Sequence, residues 1–280
     1  MLLKESPLVP PDADRTLLLS VRQTDSAYHK NIAYRPSEDR VTGFSRSSGD
    51  AGKLRQALRA HCRQVQHLVS ALFAPYAQAW QLGPTSFRAV EEEGRQLPLK
   101  ARNDLLHFDA FPTRPTNGNR ILRVFTNINP SQPRVWLTAE PFAVQARRLA
   151  GPAGLADFAA QARSPLHRLR QRLTRMADSV GIQLKERSSY DRFMHKFHHY
   201  LKASREFQEN TPKWQYEFPS GSSWIVFTDG VAHAVLSGQF AMEQTFIVPR
   251  RALLVPDKAP VRILEELCGT PLTSESNSRN

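Results

Sequence analysis

The sequence predicts an α+β protein in which two blocks of β-strands, 101–138 and 212–255, share one barrel or jelly roll around a helical insertion at 139–211. Three observations carry this. Near residue 104 the apolar period changes from about 3.6, the helical repeat, to about two, the strand repeat. After 138 it returns to the helical value. From 213 it changes again, into short alternating runs cut by Ser-Gly and Asp-Gly turns. No stretch approaches the roughly 18 apolar residues of a membrane span, so a single domain over 1–280 is expected.

The first 100 residues read as an irregular arm with flanking helices. Residues 1–50 hold many breakers, Pro7, Pro10, Pro11, Pro36, Gly43 and Gly49 among them, and "RTLLLSVR" (15–22) reads as one short strand. A helix is expected over 53–73, where Leu54, Leu58, Cys62, Val65, Leu68 and Leu72 recur at spacings of three and four. "TSFRAVEEEGRQ" (85–96) mixes charges without a clear period. "LLHFDAFP" (105–112) alternates: Leu106, Phe108 and Ala110 point one way, His107, Asp109 and Phe111 the other. A turn-rich loop, "TRPTNGNR", leads into "ILRVFTNINP" (121–130), with Ile121, Arg123, Phe125, Asn127 and Asn129 on one face. "RVWL" (134–137) then places Arg134 beside Trp136.

In the insertion, Ser164 and Pro165 form an N-cap and N1 pair before a stripe of Leu166, Leu169, Leu173, Met176 and Val180. A further helix starts near Ser189, with Phe193, Phe197, Tyr200 and Leu201 on its apolar side. "WQYEFP", "SWIVFT", "VAHAVL" and "FAMEQTFIVPR" then read as an antiparallel meander with short hairpins. The polar tail, 270–280, is expected to be disordered.

Thirty-eight Lys and Arg against 26 Asp and Glu give a net charge of +12, which points to an anionic partner: nucleic acid, a phospholipid surface or a phosphorylated glycan. Two cysteines, Cys62 and Cys268, are too few for a disulfide framework or a thiolate metal site. With no signal-peptide run at the N-terminus, a cytoplasmic location is expected, and contact with a membrane surface is compatible with it.

Two polar groups on one face of "LLHFDAFP", about 6–7 Å apart along a strand, can grip a single ion or be ordinary surface polar residues. His233, between two alanines on a turn-flanked strand, can supply a third ligand. Two imidazoles and one carboxylate are the ligand set of non-haem Fe(II) oxygenases; they leave positions for a bidentate 2-oxo acid and for dioxygen. Arg123, Arg134 and Trp136 lie on the strands that follow. Arginine offers a bidentate fork to the far carboxylate of such an acid, and the indole can wall it. Arg88 is a further candidate, and a competing reading pairs Arg123 with Asp109. His195 and His199 have the spacing of a zinc pair, but no Glu follows His195 and no Cys pair is near, so a polar helix face or substrate contacts fit better. Arg168, Arg170, Arg172 and Arg175, with Lys196, His198, His199 and Lys202, offer either a basic approach to the site or plain solvated faces.

The runs "RNDLLHFDAFPTRPTNGNRILRVFTNINP" (102–130), "RVW" (134–136) and "DGVAHAVLSGQFAMEQTF" (229–246) resemble the Kdo hydroxylases of Gram-negative bacteria. These are Fe(II)/2-oxoglutarate-dependent dioxygenases acting on the Kdo (3-deoxy-D-manno-oct-2-ulosonic acid) sugar of lipopolysaccharide. The resemblance covers most of the chain beyond residue 85. It implies a double-stranded β-helix (jelly-roll) core, with His107, Asp109 and His233 as iron ligands and Arg123, Arg134, Trp136 and Arg88 around 2-oxoglutarate. It implies Fe(II), 2-oxoglutarate and dioxygen as cofactors, with ascorbate as an in vitro reductant. The implied reaction is hydroxylation at C3 of Kdo on lipid A, giving Ko with release of succinate and CO₂, at the cytoplasmic face of the inner membrane. Kdo-lipid A and the membrane surface are then the partners, not nucleic acid. Two further readings stay open from the residues alone: a 2-oxoglutarate-dependent hydroxylase of a protein or nucleic acid, and a non-enzymatic jelly-roll module that binds an anionic glycan.

Overall fold

The computed structural model describes residues 1–23, 31–45, 51–164 and 187–273. Its strands are β1 (Leu2–Leu3), β2 (Ile32–Arg35), β3 (Arg40–Thr42), β4 (Gln81–Arg88), β5 (Arg120–Asn127), β6 (Arg134–Pro141), β7 (Lys213–Phe218), β8 (Ser223–Phe227), β9 (Val231–Ser237) and β10 (Ala241–Val248). Its helices are α1 (Asp12–Ser20), α2 (Ala51–Leu72), α3 (Ala74–Ala77), α4 (Phe142–Leu149), α5 (Leu155–Arg163), α6 (Ser189–Ala203), α7 (Arg205–Asn210) and α8 (Pro260–Cys268). One antiparallel sheet has the order β1-β8-β5-β10-β4-β2-β3, and the other β7-β6-β9.

Strands β7 to β10 alternate between the two sheets, so they are not the meander of hairpins expected from their short turns. The reason lies in where the turn backbone finds its partners. Around Gly221, which takes a φ of +76° that favours glycine, the Asn127 amide donates to Ser222 O (2.9 Å) and Gly221 N donates to Asn127 O (2.9 Å). At the next corner Thr228 N donates to Ile121 O (3.1 Å), and Gly230 O accepts from Phe142 N (3.0 Å). Each corner is held by a third segment and carries the chain across, which builds a jelly-roll arrangement of two facing sheets. The sheets do not close into a barrel.

"LLHFDAFP" is an extended edge rather than a full strand. It makes one antiparallel bridge, His107 to His233, with N–H···O distances of 3.1 and 2.9 Å. Asp109 N donates to Thr228 O (3.0 Å), whereas Leu106 N is taken by the Gln208 side chain (2.9 Å). Its alternation is retained: Leu106 and Phe108 are buried in apolar surroundings, and His107 and Asp109 face the space between the sheets.

That alternation sorts the core into three layers. Outside the large sheet, Val65 and Val69 of α2 pack on Leu122, Val124, Phe246 and Val248. Helix α2 matches the expected span within two residues, although Leu72 is exposed and Val69 takes the inner position. Outside the small sheet, Phe108, Ala232 and Ala234 meet Phe142, Phe193, Phe197 and Leu201 of the helical insertion. Between the sheets lies an aromatic cluster of Phe125, Trp136, Phe218, Trp224 and Val235. Each fully buried Phe contributes about 1.5–3 kcal/mol, so Phe193 and Phe197, stacked at 5.4 Å, anchor α6 firmly. Its start is fixed by Ser188, whose Oγ accepts from Asp191 N at 3.1 Å.

Elsewhere the structure corrects the sequence reading. Most of "RTLLLSVR" lies in helix α1, not a strand. Asp12 and Asp14 in its first turn complement the helix dipole, and leucine is a strong helix former, so a three-leucine run misled the strand reading. The first residues of the uninterpreted segment 85–96 complete β4. Of the tail, Leu272 is buried and its carbonyl accepts from Tyr190 N (3.0 Å). Residues 274–280 lie outside the described residues, as does the 166–180 stripe with Arg168, Arg170, Arg172 and Arg175.

Candidate active site

The aromatic layer between the sheets ends at Trp136, whose indole stacks on the His233 ring at 5.1 Å. Above it the space is polar. His233 comes from β9 and faces inward because Ala232 and Ala234 take the outer face. The antiparallel bridge brings His107 alongside, with ring centroids 4.8 Å apart, and Asp109 follows two residues on. One ligand atom from each of His107, Asp109 and His233 lies within 4.8 Å of the others; among the described residues no other such group of three occurs. His107 Nε2 is 3.9 Å from Asp109 Oδ1, and His233 Nε2 is 4.0 Å from Asp109 Oδ2.

Hydrogen bonds fix the tautomers. His107 Nδ1 donates to Leu105 O (2.7 Å) and His233 Nδ1 to Val231 O (3.1 Å). A carbonyl can only accept, so the proton sits on Nδ1 and both Nε2 lone pairs face the carboxylate. Burial holds both imidazoles neutral, pushing the His107 pKa well below its ordinary value, with further help from His233 and His198. Burial alone would raise the Asp109 carboxyl. The Arg123 guanidinium outweighs it, holding the group well below the usual carboxylate range. Two neutral nitrogens and one anionic oxygen are the charge states a metal needs.

Around this triad the structure also brings Arg88, Arg123, Arg134 and Trp136, each against an acid or an aromatic ring. Arg123 Nη1 lies 3.1 Å from Asp109 Oδ2 and its Nε 3.3 Å from Glu243 Oε1, so the competing reading, in which Arg123 pairs with Asp109, describes the geometry. Arg88 holds Glu243 Oε2 at 2.5 Å and lies 3.8 Å from Glu92. Arg134 is 1% exposed; its Nη1 donates to Gly238 O (2.7 Å) and its Nη2 is 3.5 Å from Glu92. Burial and the neighbouring Arg88 lower its pKa to about 10 against the pull of Glu92. Asp109, Glu92 and Glu243 thus face Arg88, Arg123 and Arg134, and Arg95 adds a further cation 3.2 Å from Glu92. Several atoms of this lattice are buried without a well-formed hydrogen bond: Arg134 Nε and Nη2, Arg123 Nε, Asp109 Oδ2 and Trp136 Nε1.

Three members were not singled out from the sequence. Glu243 had a signal, an acid on the inner face of β10 between Ala241 and Thr245. Glu92, within three consecutive glutamates, had none. His198 was noted only as part of a basic face; it packs edge-on to His107 at 4.7 Å with Nδ1 donating to Phe108 O (2.7 Å). Its three companions have other neighbours, though the Lys202 charge also helps to keep His107 neutral. Lys196 lies over Phe158, Lys202 is buried near Lys100 O, and the His199 ring meets His195 and His198. Among the described residues, no helix is long and apolar enough to cross a membrane.

Comparison with known proteins agrees with this geometry. A family model for 3-deoxy-D-manno-oct-2-ulosonic acid (Kdo) hydroxylase matches residues 1–271. Solved structures of the Kdo hydroxylase KdoO, a non-haem Fe(II) α-ketoglutarate-dependent dioxygenase, share the fold. The cobalt(II) complex matches with a TM-score of 0.81 and 35% identity, covering 97% of this chain and 86% of that one. The complex with α-ketoglutarate and Fe(III) gives 0.79 and 34% at the same coverage. The complex with succinate and Fe(III) gives 0.78 and 34%, covering 96% of this chain and 86% of that one. No curated protein matches the chain. With nearly its whole length matched by the family and by solved members of it, this chain belongs to the Kdo hydroxylase family.

Proposed function

We propose that the chain is an Fe(II)/2-oxoglutarate-dependent dioxygenase that hydroxylates C3 of Kdo on lipid A, with His107, Asp109 and His233 as the metal ligands. The observation that carries this is the buried triad with both Nε2 lone pairs and a carboxylate turned inward. The donor set fits iron: two imidazoles and one carboxylate leave coordination positions open. The charge balance also fits. A divalent cation and the 2-oxoglutarate dianion cancel each other, so their joint binding leaves the net charge of the surrounding acids and arginines unchanged. When bound, the metal with 2-oxoglutarate and dioxygen supplies oxidative decarboxylation to succinate and the transfer of one oxygen atom into a C–H bond.

The chain's own residues bind, orient and exclude water. Leu105 O and Val231 O hold the imidazole rings in place through Nδ1. Arg123 keeps Asp109 ionised. Arg134 receives the far carboxylate of 2-oxoglutarate: its Nε is buried without a hydrogen bond and its pair to Glu92 is long, 3.5 Å, whereas Arg88 holds Glu243 at 2.5 Å and Arg123 faces Asp109 at 3.1 Å. Trp136 walls this space, and the aromatic cluster beneath it keeps water from the floor. The lipid A carrier and its membrane surface are supported by the net charge of +12, which draws the chain toward phosphates and carboxylates.

The test is incubation of Kdo-lipid A with the protein, Fe(II), 2-oxoglutarate, ascorbate and dioxygen. Mass analysis is expected to show one added oxygen on Kdo, with succinate formed in equal amount. Succinate formation that ignores Kdo-lipid A but responds to a protein or nucleic acid would transfer the activity to another substrate. No succinate at all would leave only a glycan-binding module.

A further inference from the structure

Phe111 lies two residues beyond Asp109, and two guanidinium groups lie against its ring. The Arg123 guanidinium carbon is 5.3 Å from its ring centroid, and that of Arg114 is 5.0 Å. One aromatic ring therefore links the metal triad's own arginine to a second cation. The two differ in their partners. Arg123 is nearly buried and faces Asp109 and Glu243. Arg114 is exposed and, among the described residues, makes no ion pair or hydrogen bond. Partial burial of the guanidinium disfavours its charge, Arg123 and Arg35 disfavour it further, and Glu243 favours it. Arg35, at the end of β2, is half exposed and has only a loose contact with Glu38 at 4.0 Å. A guanidinium ordered on a ring, among cations and without a carboxylate, is completed by an incoming anion.

We propose that Arg114, ordered on Phe111, binds the carboxylate of the sugar-acid substrate and so turns C3 toward the triad. The inference rests on the hydroxylase reading and deepens it. Kdo is an ulosonic acid with its carboxylate on C2, the carbon next to C3. An enzyme acting at C3 must therefore house that anion beside its metal ligands. Arg88, Arg123 and Arg134 are committed to Glu92, Glu243, Asp109 and the cofactor side. Arg114 is exposed, so an anion arriving from solvent can reach it.

The test is equilibrium binding of the methyl glycoside of Kdo, and of that glycoside's carboxyl methyl ester, to the full chain loaded with Co(II) and 2-oxoglutarate without oxygen. The wild type is expected to prefer the acid over the ester by at least about tenfold. Arg114→Ala is expected to bind the acid at least about tenfold more weakly and to lose the preference, with 2-oxoglutarate affinity and thermal midpoint unchanged. Arg114→Lys, which keeps the charge and loses the fork, falls between. An Arg114→Ala protein that still prefers the acid overturns the inference. So does a loss confined to phosphate-bearing Kdo-lipid A, which would assign the guanidinium to a lipid phosphate. A wild type that binds neither probe and adds no oxygen to Kdo-lipid A overturns the hydroxylase reading as well.

Discussion

Each histidine of the triad uses its two nitrogens for different ends: Nδ1 is spent on a backbone carbonyl two residues earlier, and Nε2 is kept for the ligand. Metal binding should therefore stabilise the fold. Co(II) or Mn(II) at a hundred times its dissociation constant should add about 2.7 kcal/mol, read as a higher thermal midpoint. His107→Ala and His233→Ala should show no such rise, and a rise in either would separate that residue from the metal. Arg134→Lys should weaken 2-oxoglutarate about tenfold by calorimetry, because the planar fork is lost while the charge facing Glu92 remains. Unchanged affinity would move the clamp to Arg123 or Arg88. A third histidine acts on stability alone. His61 of α2 is fully buried, and burial lowers its pKa from 6.5 to about 4. Above pH 6.5 it is neutral in both states, and its titration does not affect stability. As pH falls from 6.5 to 4 only the unfolded chain takes up the proton, so stability declines by up to about 3 kcal/mol. His61→Leu should flatten that acid limb in denaturant titrations at pH 7 and pH 4.5; an equal slope in both proteins would remove His61 from the acid response.

Strands and turns place these side chains. The turn between β9 and β10 passes so close to Arg134 that a Cβ on Gly238 would lie 2.8 Å from its Cγ and 2.9 Å from its Cα, and Gly238 has a φ of +117°. Gly238→Ala should therefore cost at least about 1–2 kcal/mol in chemical denaturation and also weaken 2-oxoglutarate by displacing Arg134. Loss of stability with full affinity would mean that the turn does not position the arginine. This is also the scale at which sequence reading divides. The 3.6 repeat of α2 was legible because burial on one side leaves a periodic trace, and β8 to β10 were legible as short apolar runs cut by turns, since both their faces are buried. The alternation in "LLHFDAFP" put His107 and Asp109 on one face correctly although only one bridge forms there. Strand pairing was not legible. A Ser-Gly or Asp-Gly turn looks the same whether it closes a hairpin or crosses to the facing sheet, and the choice is made by Asn127, Ile121 and Phe142, far away in the chain. Helix α1 was missed for a related reason, since Arg15 is held by Ile128 O and Asn129 O from a distant loop.

At the scale of the molecule, the aromatic cluster, the lattice of acids and arginines, and the triad follow one another between the two sheets, and the helices of the insertion close the small sheet from outside. The three residues of the triad could be singled out in the sequence, but the lattice could not, because Glu92 meets Arg88 of β4 and Arg134 of β6 only once the chain is folded. The excess of positive charge belongs to this scale too. Binding to vesicles containing anionic lipid should weaken steeply as salt rises from low to physiological strength, where screening shortens to about 8 Å. Binding that ignores salt would separate the net charge from the membrane. The central claim, that His107, Asp109 and His233 hold one metal, is tested most directly by anomalous diffraction from crystals of the full chain loaded with Co(II). The account predicts a single strong peak about 2.1 Å from His107 Nε2, His233 Nε2 and an Asp109 carboxylate oxygen. A peak at the His195 and His199 rings instead, or none between the sheets at full metal loading, would contradict it.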